Sequence, residues 1–203
     1  MNNFRKKVAI ILLASGFGKR FGKNKLLEEF HGRPLFTFAA ELAVNSPADI
    51  KVIVTQYNEV ETLVKTQYPS LLTVRNSWPE EGISRSIRLG LETVLWNEEG
   101  EKYEGCCFMV CDQPFFKKES MEHLFQKFYE FPDCISVCSS GAREGNPVIF
   151  PKCLFKELLL LKGDRGGKKI IKKYPKLVRR VEVSEEELYD MDNQIDKINM
   201  EKT

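Results

Sequence analysis

Short apolar runs alternate with helical periods along this chain, and no other feature restricts its fold so strongly. Runs at Val8–Leu13, Ile50–Val54, Cys106–Val110, Cys134–Cys138 and Val148–Phe150, with a later one at Leu177–Val183, fit strands covered on both faces. Between them lie the amphipathic segments Leu35–Val44, which follows Pro34, and the short Val60–Lys65. Ser84–Leu95 places Ile87, Leu91, Val94 and Leu95 along one side, and Met121–Phe131 does the same with Leu124, Phe125 and Phe128. The alternation predicts an α/β sheet with helices on both faces. At 203 residues the chain makes one domain by the usual ~150 residues each, and it shows no internal repeat or low-complexity linker. Gly-rich turns at 141–146 and 163–167 and a Lys-rich helix mark the second half.

Hydrophobic residues make up 42% and charged ones 30%, which excludes a disordered chain. No apolar run approaches the roughly 18 to 20 residues that cross a bilayer, so no membrane association is expected. Val8–Ser15 follows Arg5, Lys6 and Lys7, the order in which a signal peptide begins, but it runs into Gly16-Phe17-Gly18-Lys19-Arg20 with no small-residue cleavage region. It reads as a buried strand. The six cysteines, at 106, 107, 111, 134, 138 and 153, form no metal or redox spacing and are expected to be reduced and structural, in a cytoplasmic protein.

The net charge of +2 is too balanced for a general nucleic-acid binder. Its distribution is uneven. Residues 1–34 hold eight Lys/Arg against two Glu, 162–180 hold nine against one Asp, and 184–203 hold seven acids against two Lys. The basic stretches could flank one anionic ligand; 162–180 reads equally well as a solvated helix face.

The most informative local segment, Leu13 to Lys25, begins where the first strand should end, the position at which α/β sheets bind ligands. Gly16, Gly18 and Gly22 allow backbone amides to turn toward an anion, and Lys19, Arg20, Lys23 and Lys25 supply counter-charge. A triphosphate fits as the guest. The Walker pattern fails, because Phe17 stands where its first glycine belongs and Asn24 follows Lys23. The dinucleotide GxGxxG pattern fails at Phe21.

This loop, Leu13-Ala-Ser-Gly-x-Gly-x-Arg-x-Gly-x-x-Lys25, resembles the signature of sugar-nucleotide and molybdopterin nucleotidyltransferases, specifically the molybdenum cofactor cytidylyltransferases and their MobA-like relatives. The likeness extends through Asn76–Leu91, Cys111-Asp112-Gln113-Pro114, Gly145–Phe150 and Lys162–Gly166. It implies a three-layer Rossmann-like nucleotidyltransferase fold with a mostly parallel mixed sheet. It further implies one domain, with a nucleotide-binding half at about 1–115 and an acceptor-binding half at about 116–203.

The implied reaction carries CMP from CTP to the terminal phosphate of molybdopterin, or of the molybdenum cofactor, and releases pyrophosphate. A phosphate oxygen of the acceptor attacks in line, which requires neither a covalent nucleophile nor a histidine; His31 and His123 are expected at the surface. By the resemblance Arg20 and Lys25 act on the developing charge, while Leu13, Ala14, Ser15, Gly16, Gly18, Lys19, Gly82 and Ser86 hold the nucleotide. Gly145 and Asn146 contact the acceptor, with Lys168 or Lys169 near its phosphate. Asn146-Pro147 reads equally as a plain turn before a strand. Mg²⁺ would sit on Asp112 and on one of Asp190 and Asp192, which share a face if the tail is a strand. The tail, Asp190-Met-Asp-Asn-Gln-Ile-Asp196, lacks the Pro usual in relatives, leaving that choice open. Ser15 favours CTP over GTP by bulk. A molybdoenzyme apoprotein is a further expected partner.

Three other readings stay open: a cytidylyl- or other nucleotidyltransferase for a phosphosugar, phosphocholine or phosphopolyol; a nucleotide-binding cofactor chaperone without turnover; and a metal-sulfur protein using the cysteines.

Overall fold

The structure, a computed structural model, describes residues 6–16, 24–97 and 99–191. In chain order its strands are β1 (Lys7–Ala14), β2 (Glu29–Phe30), β3 (Arg33–Pro34), β4 (Ile50–Thr55), β5 (Leu72–Arg75), β6 (Tyr103–Val110), β7 (Ile135–Ser140), β8 (Arg143–Pro151) and β9 (Val178–Glu182). The helices are α1 (Phe36–Asn45), α2 (Asn58–Gln67), α3 (Ile83–Leu95), α4 (Lys118–Glu130), α5 (Phe155–Leu159) and α6 (Lys168–Lys173).

Seven strands form one sheet in the order β5-β4-β1-β6-β8-β7-β9, and β2 and β3 form a separate small hairpin. Neighbours pair in parallel except on either side of β8, which runs against both β6 and β7. The sheet is therefore mixed and mostly parallel, with helices on both faces, as the alternation predicts.

Side-chain alternation along β1 divides the core. Val8, Ile10, Leu12 and Ala14 pack with α1, α2 and α4, whereas Ala9 and Ile11 pack with α3, α5 and α6. Close approach requires a glycine at position 90 of α3, where an added Cβ would lie 2.5 Å from Cγ2 of Ile11.

From β1 the chain builds β4 and then β5 to one side, and returns through α3 to place β6 on the other. The reversal makes a topological switch point at the carboxyl ends of β1 and β6, the place where open α/β sheets form a ligand crevice.

Three elements differ from the sequence reading. β5 is an edge strand whose Leu72 is 46% exposed. α5 is only a turn and a half, and the Lys-rich stretch is helical only over Lys168–Lys173.

Candidate active site

The turn after β1 is held from the end of β4. Thr55 Oγ1 donates to the Ala14 carbonyl at 3.1 Å, Gln56 Nε2 to that of Ser15 at 2.9 Å, and the Tyr57 hydroxyl to that of Gly16 at 2.7 Å. Three successive acceptors are thereby committed to protein donors, in a turn whose amides would otherwise share their space with unsatisfied oxygens. Ser15 is buried, and its own hydroxyl donates to the Val54 carbonyl at 3.1 Å. The hydroxyl is thus spent on the sheet. Leu13 lies within β1, paired with Val54 and Val110. Gly18, Lys19 and Arg20 lie outside the described residues, as does Asp192.

Where the chain resumes, the Asn24 side chain accepts from the Leu26 amide at 3.1 Å and starts a short 3-10 turn that carries Lys25. The ammonium of Lys25 lies 2.5 Å from Oδ2 of Asp112, which follows β6, and both side chains are 18% exposed. Oδ1 of Asp112 is buried and has no hydrogen-bond partner among the described residues. The two residues thus meet across the β1/β6 crevice.

A tail segment closes over this pair. The Met191 amide donates to the Asp112 carbonyl at 2.9 Å, and Lys25 reaches the Met191 carbonyl at 3.5 Å. Buried Gln113 donates through Nε2 to Oδ1 of Asp190 at 2.8 Å and to the Leu188 carbonyl at 3.4 Å. That carbonyl also accepts from Arg143 of β8 at 2.8 Å. Upstream, Glu187 accepts from the Lys117 amide before α4 and from the amide and hydroxyl of Ser184. Burial works to raise its pKa, but hydrogen bonds from Ser120, Ser184 and Lys117 outweigh it and hold the carboxyl below the usual glutamate range.

The strand on which Asp190 could share a face with Asp192 is not found at Asp190. β9 ends at Glu182, the chain turns through a 3-10 segment at Glu186–Leu188, and Tyr189–Met191 belong to no strand. The Gln113 bond to its carboxylate, with Gln113 and Arg143 both holding the Leu188 carbonyl two residues earlier, positions Asp190 instead of strand periodicity.

At the head of α3, Gly82 adopts φ 84°, and an added Cβ would lie 2.5 Å from the Gly163 carbonyl carbon. The Ser84 amide donates to the Gly163 carbonyl at 3.2 Å. Ser86, also buried, accepts from Asn76 Nδ2 at 3.2 Å, while the Asn76 amide donates to the Thr55 carbonyl at 2.8 Å. Asn76 thereby ties α3 to the end of β4. Sequence reasoning quoted this asparagine but assigned it no role, because its partners are distant in the chain.

Gly145 and Asn146 lie in β8. Pairing with β7 jumps from Val137↔Val148 to Cys138↔Gly145, so Asn146 and Pro147 form a bulge rather than the plain turn that sequence also allowed. A Cβ at Gly145 would lie 3.0 Å from Leu188, bringing this bulge against the tail segment. Lys168 and Lys169 stand exposed on α6. His31 and His123 are exposed, and all six cysteines are free thiols. Burial raises the pKa values of Cys106, Cys107, Cys111 and Cys138, suppressing thiolate chemistry.

No group of three metal-ligating side chains occurs among the described residues. Mg²⁺ asks less, since it takes one or two carboxylates and completes its shell with phosphate oxygens and water. The Oδ1 of Asp112, just past the carboxyl end of β6 and without a partner among the described residues, fits that requirement.

A family model described as the MobA-like NTP transferase domain matches residues 10–179. The chain belongs to this family of nucleotidyltransferases. It is 24% identical over 169 residues to the purine catabolism protein PucB of Bacillus subtilis (strain 168), spanning 80% of this chain and 79% of PucB. Among solved structures, Rv0371c of Mycobacterium tuberculosis H37Rv superposes with a TM-score of 0.81 at 20% identity, covering 98% of this chain and all of that one, and has also been solved in complex with manganese. The molybdopterin-guanine dinucleotide biosynthesis protein A of Archaeoglobus fulgidus gives a TM-score of 0.68 at 17% identity, over 96% of this chain and 97% of its own. No described helix is long and apolar enough to cross a membrane.

Proposed function

We propose that this protein transfers CMP from CTP to the terminal phosphate of molybdopterin or the molybdenum cofactor, releasing pyrophosphate, with Mg²⁺ as its metal. The observation that carries the reading is the junction of Lys25 and Asp112 at the β1/β6 crevice, with one carboxylate oxygen left unpartnered. Basic and acidic groups meet there as a nucleotide–metal complex requires.

In this reading the loop after β1, with Gly18 and Lys19, receives the phosphates, and Ala14, Ser15 and Gly16 face the base together with Gly82 and Ser86 at the head of α3. Lys25 and Arg20 neutralise charge that develops as the α-phosphorus is attacked. Asp112 holds the metal together with Asp192 or Asp190. When bound, the metal supplies Lewis-acid charge neutralisation at the phosphates. Gly145 and Asn146, on the bulge of β8, receive the acceptor.

An ionised acceptor phosphate needs no general base near neutral pH, so the chain's task is positioning and electrostatics. The nucleotide half (about 1–115) and the acceptor half (about 116–203) would meet where the tail segment crosses Asp112. The relatives' names support the reading in part: one is a molybdopterin-guanine dinucleotide biosynthesis protein, which favours the acceptor but not the cytidine, and another has been solved with manganese.

Pyrophosphate release is the test, measured with Mg²⁺, CTP or GTP, and with molybdopterin, a phosphosugar, phosphocholine or a phosphopolyol as acceptor. Release with CTP and molybdopterin is expected. Preference for another acceptor would replace the proposed one, and tight CTP binding without release from any acceptor would make the protein a nucleotide-binding chaperone.

A further inference from the structure

A second basic feature lies outside the crevice, where the end of α5 faces α6. A cavity of about 480 Å³ opens there, and Lys162, Arg165, Lys169 and Lys173 contribute to its lining. That volume is in the range of small-molecule sites. Glu157 is its one acidic lining residue, and it is already engaged: Lys173 binds it at 2.9 Å and the Tyr174 hydroxyl donates to it. The side chains of Lys162, Arg165 and Lys169 have no ion-pair partner among the described residues. Leu161 and Ile170 provide a buried apolar wall, and Leu160, 75% exposed, stands at its edge.

Three unpaired cations around one concavity repel one another and gain from a shared anion. An ordinary solvated helix face spreads its charges outward. Here they come from a loop and from α6 and face the same space. The apolar wall adds a second requirement, since inorganic anions leave such surface uncovered.

We propose that this cleft is an accessory binding site for a phosphorylated small molecule with an apolar body, that it shares no lining residue with the Lys25–Asp112 pair, and that Lys169 serves it rather than the acceptor phosphate for which the sequence offered Lys168 or Lys169. The cleft also has a mechanical link to the β1/β6 crevice. Lys162 and Arg165 bracket Gly163 and Asp164, and Gly163 packs on Gly82 and accepts from the Ser84 amide. An occupant that fixes this loop fixes the head of α3. Coupling to nucleotide binding follows, and that coupling, unlike the site itself, rests on the proposed placement of the base beside Gly82.

Calorimetric titration with phenyl phosphate and with inorganic phosphate tests the site, using the wild type, the double variant Arg165→Ala/Lys169→Ala, and Lys25→Ala. Phenyl phosphate is expected to bind more tightly than phosphate, and the double variant to lose about tenfold or more in affinity. Lys25→Ala should leave this binding unchanged, and unaltered melting of the double variant will exclude misfolding. Absence of binding, or binding lost in Lys25→Ala and retained in the double variant, would overturn the site.

A CTP titration with and without phenyl phosphate then reads the coupling, which must be reciprocal. Equal CTP affinities would remove the coupling. Failure of CTP to bind at all would refute the nucleotide reading while the Arg165/Lys169 result still decides the cleft.

Discussion

Lys25 and Asp112 stand 87 residues apart in the chain and 2.5 Å apart in space, one beyond β1 and the other just beyond β6. The ammonium occupies Oδ2, and Oδ1 of the same carboxylate is buried without a partner among the described residues. Without ligand, each charge serves as the other's counter-ion. In the proposed reaction, an arriving triphosphate offers Lys25 a second anion and leaves the carboxylate available to a cation.

Replacing Asp112 by Asn keeps the shape of the side chain and removes its charge. Pyrophosphate release is expected to fall by about a hundredfold to a thousandfold, the usual effect of losing one preorganised electrostatic group. Circular dichroism should remain that of the wild type, because Lys25 retains the Met191 carbonyl and some access to water. Wild-type turnover would refute the metal assignment.

Gly82→Ala combines a positive φ of 84° with a Cβ placed 2.5 Å from the backbone of Gly163. A loss of about 1 to 3 kcal/mol is expected from the strained backbone alone, with the 163–164 loop displaced further. Chemical denaturation should show the loss, and nucleotide affinity should fall with it. An unchanged midpoint would mean that the loop yields freely and that Gly82 is not its support.

Ser15→Gly removes bulk beside the end of β4 and the hydroxyl bond to Val54. Use of GTP relative to CTP is expected to rise by roughly tenfold, the scale of one steric contact of about 1 to 3 kcal/mol. Competition between the two nucleotides in a single assay measures the ratio directly; a constant ratio would discard the bulk argument.

Glu187 ties the start of the tail segment to the start of α4, and its carboxyl is held below the ordinary glutamate range by hydrogen bonds that exceed the opposing effect of burial. A depressed folded-state pKa means that its contribution is complete above the unfolded value and disappears as the pH falls through the folded one. Glu187→Gln should therefore melt below the wild type at neutral pH, with the gap closing as the solution is acidified past the normal carboxylate range. Melting curves of both proteins from neutral to strongly acidic pH give the comparison. A gap independent of pH would show that the charge contributes nothing.

Much of the frame was legible in local text. Apolar runs marked β1, β4, β6 and β7 because strands covered on both faces need unbroken hydrophobicity. Asp112 was legible because Gln113 and Pro114 follow an apolar run, and Lys25 because cations crowd a glycine-rich loop. β5 and α5 escaped notice: an exposed edge strand and a very short helix bury too little to leave a pattern. Gln113, Arg143 and Glu187 were also unread as holders of the tail. Their partners are distant carbonyls, amides and carboxylates, and periodicity contains no information about such bonds. A strand face for Asp190 stayed an open option for the same reason, since alternation cannot tell an extended segment in a sheet from one pinned by side chains.

Residue order alone established the kinds of elements, their sequence along the chain, and which ends carry charge, because burial period and turn chemistry act over a few residues at a time. Packing decided that β6 returns beside β1, that Asn146 sits on a bulge, and that Gly163 rests on Gly82. Those outcomes depend on which surfaces can be covered simultaneously, and so on free energies shared by segments many residues apart.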